Sequence, residues 1–284
     1  MSKVAIVKGD DPTETTFRAL EIIKPHLENV LSTKKPILIK PNYILSKHPS
    51  TGITTDCRVI EGIVKFLKEN KIDEIVIGEG SGFADTFQAF KTAGVDVVAE
   101  KWNVKLVDLN KDEFVEVEIA DPLSLKKVKI AKTALESTII SVPKLKLHRI
   151  ATVTLSLKNM MGALASKGSM HNGRLSKNIA DLASVIKPSL SVVDGIIASE
   201  GHETSETPVE MNLIIAGADP VAVDSVGAAI MGISPTEVEH IILAEKKGLG
   251  ISDLKKIDIM GEPLEKVKRK FRRSFSSKFL SLLS

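Results

Sequence analysis

Short apolar runs alternate with segments of helical period along most of this chain. "KVAIVK", "PILIKPN" and "DEIVIGEG" are Val/Ile-rich and brief, whereas "DPTETTFRALEIIKPHLENVL", "CRVIEGIVKFLKEN" and "DTFQAFKTAG" repeat their apolar positions every three to four residues. Strand followed by helix, three times over, predicts a mostly parallel sheet covered by helices, the α/β class. Start and stop residues agree: Asp11-Pro12 and Asp56 suit helix starts, and Gly94 suits a helix end.

Between residues 104 and 130 the period changes to two. "VKLVDLN", "FVEVEIA" and "KKVKIA" alternate apolar with charged positions, which predicts half-solvated strands and a small antiparallel addition to the sheet. The strand-and-helix alternation then resumes with "STIISVPK", a helix over about 176–186, the strands "SLSVVDGI" and "EMNLIIAG", helices near 219–231 and 235–247, and the short strand "KIDIMG". No internal repeat or low-complexity linker interrupts it. One α/β domain over residues 1–261 is expected, followed by a basic tail, 262–284.

Composition narrows the picture. No apolar stretch approaches the roughly 20 residues a membrane-spanning helix needs, and "MSKVAIVKGDDP" lacks the apolar core of a secretion signal, so a cytoplasmic location is expected. Cys57 is the sole cysteine, which excludes an internal disulfide and a self-contained iron–sulfur cluster held by four thiolates. The formal charge is +3, but residues 262–284 hold seven Lys/Arg against two Glu, leaving the rest of the chain at about −2. The basicity belongs to the tail. One Trp and one Tyr supply few stacking platforms, so nucleic acid is not an expected partner.

In doubly wound sheets ligands bind outside the carboxyl ends of the strands, so polar residues that follow apolar runs are the candidates. After "PILIK", Lys40 and Asn42 open a long loop that ends in Thr54, Thr55 and Asp56 before a helix; the hydroxyls and amides there suit an anion, or the same residues simply cap the helix. After "EIVIGE", Glu79 and Ser81 stand among Gly78, Gly80 and Gly82, either a phosphate-cradling turn or a tight strand-to-helix connection. In "PKLKLH", Lys144, Lys146 and His148 share one face of an extended segment and Leu145 and Leu147 the other. That face is either a cationic cluster aimed into a site or a solvated edge. The following "TVTLSLKNMMG", with Lys158, Asn159 and Gly162, fits a strand or a helix, and the helix is preferred. Finally, "SVVDGIIASEGHETSETP" supplies Asp194, Glu200, Gly201 and His202, and His171 lies in another polar loop. His171, His202 and Glu200 are the candidate ligands for a divalent metal, without the local spacing of a known motif. A helix start would lower the pKa of Cys57, although packing explains that residue equally well.

In the tail, Leu264, Val267, Phe271, Phe275, Phe279 and Leu282 recur at three- and four-residue intervals among Lys and Arg, the pattern of a basic amphipathic helix. Such a stripe either docks on the domain or meets a membrane surface or a redox protein.

"ILIKPN", "GITTD", "IVIGEGSG", "ISVPKLKLH", "TLSLKNMMG" and "VVDGI…EG" occur in an order that resembles the family called domain of unknown function 362, over about Lys3 to Gly261. The family has no general assigned reaction. Many members carry a ferredoxin-like cluster domain, so the resemblance implies redox chemistry or electron delivery in those proteins. This chain has no cysteine quartet and places Cys57 where relatives commonly have proline. By position, the family blocks single out Lys40, Asn42, Thr54, Thr55, Asp56, Glu79, Lys144, Lys146, His148, Lys158, Asn159, Gly162, Asp194 and Gly201. The expected function is an enzyme with an anion-binding cleft, in which Lys40, Lys144, Lys146 and Lys158 hold a phosphate- or carboxylate-bearing small molecule and His148 is the general acid or base; clustered cations depress one another's pKa, so Lys144, Lys146 or Lys158 is also a candidate catalytic base. An oxidoreductase is the class that the resemblance implies. The alternatives are an accessory module that docks a redox partner or membrane, and a metal-assisted isomerase or racemase.

Overall fold

The computed structural model of the protein describes residues 1–274. Its strands are β1 (Ser2–Lys8), β2 (Ile37–Lys40), β3 (Ile75–Glu79), β4 (Lys105–Asp108), β5 (Phe114–Glu118), β6 (Lys127–Ala131), β7 (Thr138–Ser141), β8 (Lys144–His148), β9 (Thr152–Thr154), β10 (Leu190–Ser199), β11 (Pro208–Gly217) and β12 (Ile257–Gly261). The main sheet runs β12-β1-β11-β10-β7-β2-β3-β4. Only β11 is reversed along that path, through antiparallel pairs with β1 and β10. Every residue of β2 and β7 is buried, as central parallel strands covered on both faces require.

Two apolar layers flank the sheet. One packs Leu20, Ile63, Phe66 and Phe90 against Ile39 and Ile77; the other packs Ile179, Val226 and Ile241 against Leu38, Val193 and Ile215. The helix starts read from sequence hold. Asp11 accepts from the Thr13 and Glu14 amides ahead of Pro12–Ile23, and Asp56 accepts from the Arg58 amide ahead of Cys57–Glu69. Gly94 ends Thr86–Ala93 with φ +79°, a conformation that favours glycine.

Three expectations need correction. The strand near 104 is a parallel edge of the main sheet, and only β5 and β6 form the separate antiparallel pair. "TVTLSLKNMMG" is neither all strand nor all helix: β9 gives way to a helical turn at Ser156–Asn159, because the buried Asp224 carboxylate accepts from the amides of Ser156 (2.7 Å) and Leu157 (3.0 Å). In the tail, the helix stops at Val267, and residues 268–274 form no further helix. Val267 and Phe271 are nonetheless buried, so this part of the apolar stripe docks. Phe275, Phe279 and Leu282 lie outside the described residues.

That segment is strapped to the loop over 200–207 between β10 and β11. The Gly201 amide donates to the Arg272 carbonyl, the Ser274 amide to the Gly201 carbonyl, and the Arg272 amide to the Glu200 carboxylate at 2.8 Å. Among the described residues no helix is long and apolar enough to cross a membrane.

Candidate functional site

The strand order places the topological switch between β2 and β7: chain-consecutive strands lie on one side of β2 and β7 on the other. Asn159 fills the crevice there. Its Nδ2 donates to the Lys40 carbonyl (3.0 Å) and to Ser141 Oγ (3.1 Å), and its Oδ1 accepts from Asn42 Nδ2 (3.0 Å). Beside it, Lys40 Nζ donates to Glu79 Oε1 at 2.7 Å, a pair formed by the last residues of β2 and β3 and shut off from solvent. Glu79 also accepts from the Tyr43 and Gly80 amides. Burial lowers the Lys40 pKa, and Glu79 opposes that shift.

Packing leaves no room for a side chain at Gly80, which with Gly82 also lines the cavity described below. A Cβ on Gly80 would collide with the Gly162 carbonyl, and one on Gly162 would collide with Glu79 Oε1 and lie 2.5 Å from Lys40 Nζ. The turn is therefore a close approach of two backbones over a buried ion pair. Gly80→Ala is expected to destabilise the fold by about 1–3 kcal/mol, since backbone rather than a side-chain tip must move. A shift in the urea midpoint would measure it.

Above this floor lies a cavity of about 460 Å³, lined by Lys40, Asn42, Glu79, His148, Lys158, Asn159, Gly162 and His171 together with Tyr43, Ile44, Phe83, Arg149, Ile150, Met161, Lys167 and Glu203. The first eight were legible in the sequence as candidates. Asn42 Oδ1 is buried without a hydrogen-bond partner among the described residues.

Lys158 is half-buried, and its ammonium has no hydrogen-bond or ion-pair partner among the described residues. Burial pulls its pKa down to about 8, with Glu203 raising it and Lys40 lowering it further. His148 is buried, and its Nδ1 accepts from the Ile150 and Ala151 amides, both at 3.1 Å. Nε2 therefore carries the proton, 3.9 Å from Glu203 Oε1. Burial, then Lys158, hold His148 well below the ordinary imidazole pKa, so at neutral pH it is a neutral donor. That geometry revises the expected acid–base role, because an Nε2–H imidazole with Nδ1 engaged has no free lone pair for taking a proton. The turn that grips Nδ1 puts Thr152 at φ +67°, a strained value for a β-branched residue. His171 stacks on His148 with ring centroids 6.4 Å apart.

The remaining candidates do not line the cavity. β8 does present Lys144, Lys146 and His148 on one face and Leu145 and Leu147 in the core, but the two lysines are engaged elsewhere. Lys144 Nζ donates to Asp194 Oδ2 at 2.7 Å with both side chains inaccessible, and the same oxygen accepts from the Asp56 amide. Lys146 Nζ donates to the Ile53 carbonyl at 2.7 Å, and burial, then Lys158, lower its pKa to about 7. Both lysines thus clamp the long loop after β2. Thr54 and Thr55 serve the same loop, bonding the carbonyls of Lys47 and Val142, while Asp56 caps a helix and holds Arg58 at 2.7 Å. Ser81 is buried outside the cavity.

Gly201 and Glu200 hold the strapped tail segment, and His202 Nδ1 accepts from the Thr204 amide. Among the described residues no group of three or more His, Cys, Asp or Glu side chains is arranged to hold a metal ion. Cys57 departs from expectation too: burial and the Asp56 carboxylate push its thiol up to about 11, overriding the helix start.

Sequence reasoning missed Glu203, although it lies in the loop from which Glu200 and His202 were chosen. It also missed Lys167, whose Nζ donates to Asn110 Oδ1 at 2.6 Å. Glu203 accepts from the Arg149 amide at 2.9 Å, a partner supplied by the turn after β8 that no local spacing reveals.

A mostly parallel α/β sheet with a crevice at the carboxyl ends of its switch-point strands defines the class of protein. The chain belongs to the family described as domain of unknown function (DUF362), which it matches over residues 37–229. It is also similar to the thylakoid-associated protein sll1697 of Synechocystis sp., 24% identical over 223 residues that cover 75% of this chain and 68% of that protein. No solved structure matches the chain.

Proposed function

We propose that the cavity binds a phosphate- or carboxylate-bearing small molecule and that the chain is an enzyme acting on it. The observation that carries this reading is the half-buried Lys158 ammonium, unpaired among the described residues in a cavity where the other charges have partners. An ammonium with no direct hydrogen-bond or ion-pair partner among the described residues, set in a partly desolvated pocket, favours an anion more than it would in water. Lys40 is neutralised by Glu79, and Arg149 faces Glu203, so Lys158 and Lys167, which line the same cavity, give the site its net positive character.

The chemistry that fits is proton transfer next to the bound anion. Lys158, at about 8, populates both its forms near neutral pH, and His148 Nε2–H is placed to donate to developing negative charge. Family resemblance carries the alternative, an oxidoreductase. A membrane-surface role for the basic tail draws on the name of the thylakoid-associated relative.

Calorimetric titration with inorganic phosphate and with acetate tests the site. For acetate, which stays ionised throughout, the binding form is the protonated amine, so affinity is full between about pH 6 and pH 8 and weakens about tenfold per pH unit above that. Lys158→Met is expected to weaken binding at pH 7 about tenfold or more, and to abolish the pH dependence. Equal affinity in wild type and variant would overturn the reading.

A further inference from the structure

We infer that the ligand of this cavity is an anionic amphiphile, a single-chain carboxylate or phosphate monoester whose head meets Lys158 and whose apolar chain leaves past Phe83 and Ile150. The inference rests on the anion reading above and adds the nature of the rest of the ligand.

Its basis is the distribution of apolar surface. Seven large apolar side chains are exposed among the described residues, and two of them, Phe83 and Ile150, line this one cavity. Phe83 is 77% exposed and Ile150 44%, although a soluble ligand with only a charged head would gain nothing from either.

Neither side chain dangles from a loose loop. The Phe83 amide donates to the Ile44 carbonyl at 2.9 Å, and the Ile150 amide to His148 Nδ1 at 3.1 Å. The same turn that fixes the imidazole therefore fixes Ile150 at the rim. Ile44 and Met161 add further apolar lining to the same cavity. A volume of about 460 Å³ is ample for more than a phosphate or an acetate and falls within the range of about 300–1,000 Å³ seen for organic ligands. The Lys158 ammonium, unpaired among the described residues and set beside apolar side chains, matches a molecule with one charged end.

The test is calorimetric titration of the full chain at pH 7 with acetate, butyrate, hexanoate and octanoate, and with 1-octanol as the neutral control. Affinity is expected to rise by about fourfold per methylene along the acid series, with one site per chain, and octanol is expected to bind at least about tenfold more weakly than octanoate. The exposed positions allow Phe83→Ser/Ile150→Ser to be made without disturbing the core. In that variant the gain from acetate to octanoate should shrink by about tenfold or more. If acetate and octanoate bind alike, yet Lys158→Met still loses both, the amphiphile inference is overturned and the anion reading stands. A chain-length gain unchanged in the double variant would also overturn it. If octanol binds as tightly as octanoate, the anion reading fails and this inference fails with it.

Discussion

Lys144→Met is expected to lower the unfolding free energy by about 3–5 kcal/mol. The substitution keeps most of the volume of the side chain but strands the Asp194 carboxylate, which is fully buried and 2.7 Å from the lost ammonium. Asp194 cannot escape to water, because it also accepts from the Asp56 and Ile196 amides. Replacing the charge as well as its partner should therefore restore much of the loss. Lys144→Met/Asp194→Asn keeps an acceptor for the backbone amides and leaves no uncompensated charge, and it is expected to recover more than half of the deficit. Urea unfolding of both variants decides the matter; a double variant no better than the single one would show that loop anchoring, rather than charge, dominates.

His240→Leu is expected to act in the opposite direction. His240 is wholly buried in the helix Glu239–Lys246, and neither ring nitrogen has a partner among the described residues. Removing an unsatisfied buried polar group is expected to stabilise by about 1–3 kcal/mol at pH 7.5. Burial, with Lys158 adding to it, lowers the His240 pKa from 6.5 to about 3. Above pH 6.5 the ring is neutral in both folded and unfolded chains and contributes no pH dependence. As pH falls below 6.5 the unfolded chain takes up a proton that the folded chain refuses, so stability is lost until about pH 3, where the folded state protonates too. The gap between variant and wild type should widen by about 1.4 kcal/mol per pH unit through that window. Urea midpoints at pH 7.5, 5.5 and 4.5 measure it, and a constant or shrinking gap would contradict the assignment.

These two residues show what the sequence could convey. The alternation in "PKLKLH" correctly divides β8 into a polar and an apolar face, because the period of a strand is local. What the polar face meets is not local. Asp194 lies 50 residues beyond Lys144, and Ile53 lies 93 residues before Lys146, so two lysines that read as ligand-binding prove to be loop clamps. Lys158 is the reverse case: its flanking sequence does not distinguish it from the other lysines, and what sets it apart is that its ammonium has no partner among the described residues. His240 gave no signal at all, since "EHIILAEK" reads as an amphipathic helix whether or not its histidine is satisfied. The β9-to-helix change at Leu155 was equally hidden, because the residue that imposes it, Asp224, is 67 to 68 residues away.

The position of β1 in the sheet bears on synthesis as well as on stability. Its two neighbours, β11 and β12, lie about 200 and 250 residues further along the chain. At roughly 5–20 residues per second, an emerging β1 waits on the order of 10–40 s before β11 exists to pair with it. Throughout that interval "KVAIVK" is an apolar segment with both edges open, the kind that chaperones bind and that pairs with copies of itself. Slow, late-closing assembly is thus built into the topology, and heterologous expression should respond to chaperone supply or to lower temperature more than to changes in the surface of the finished protein.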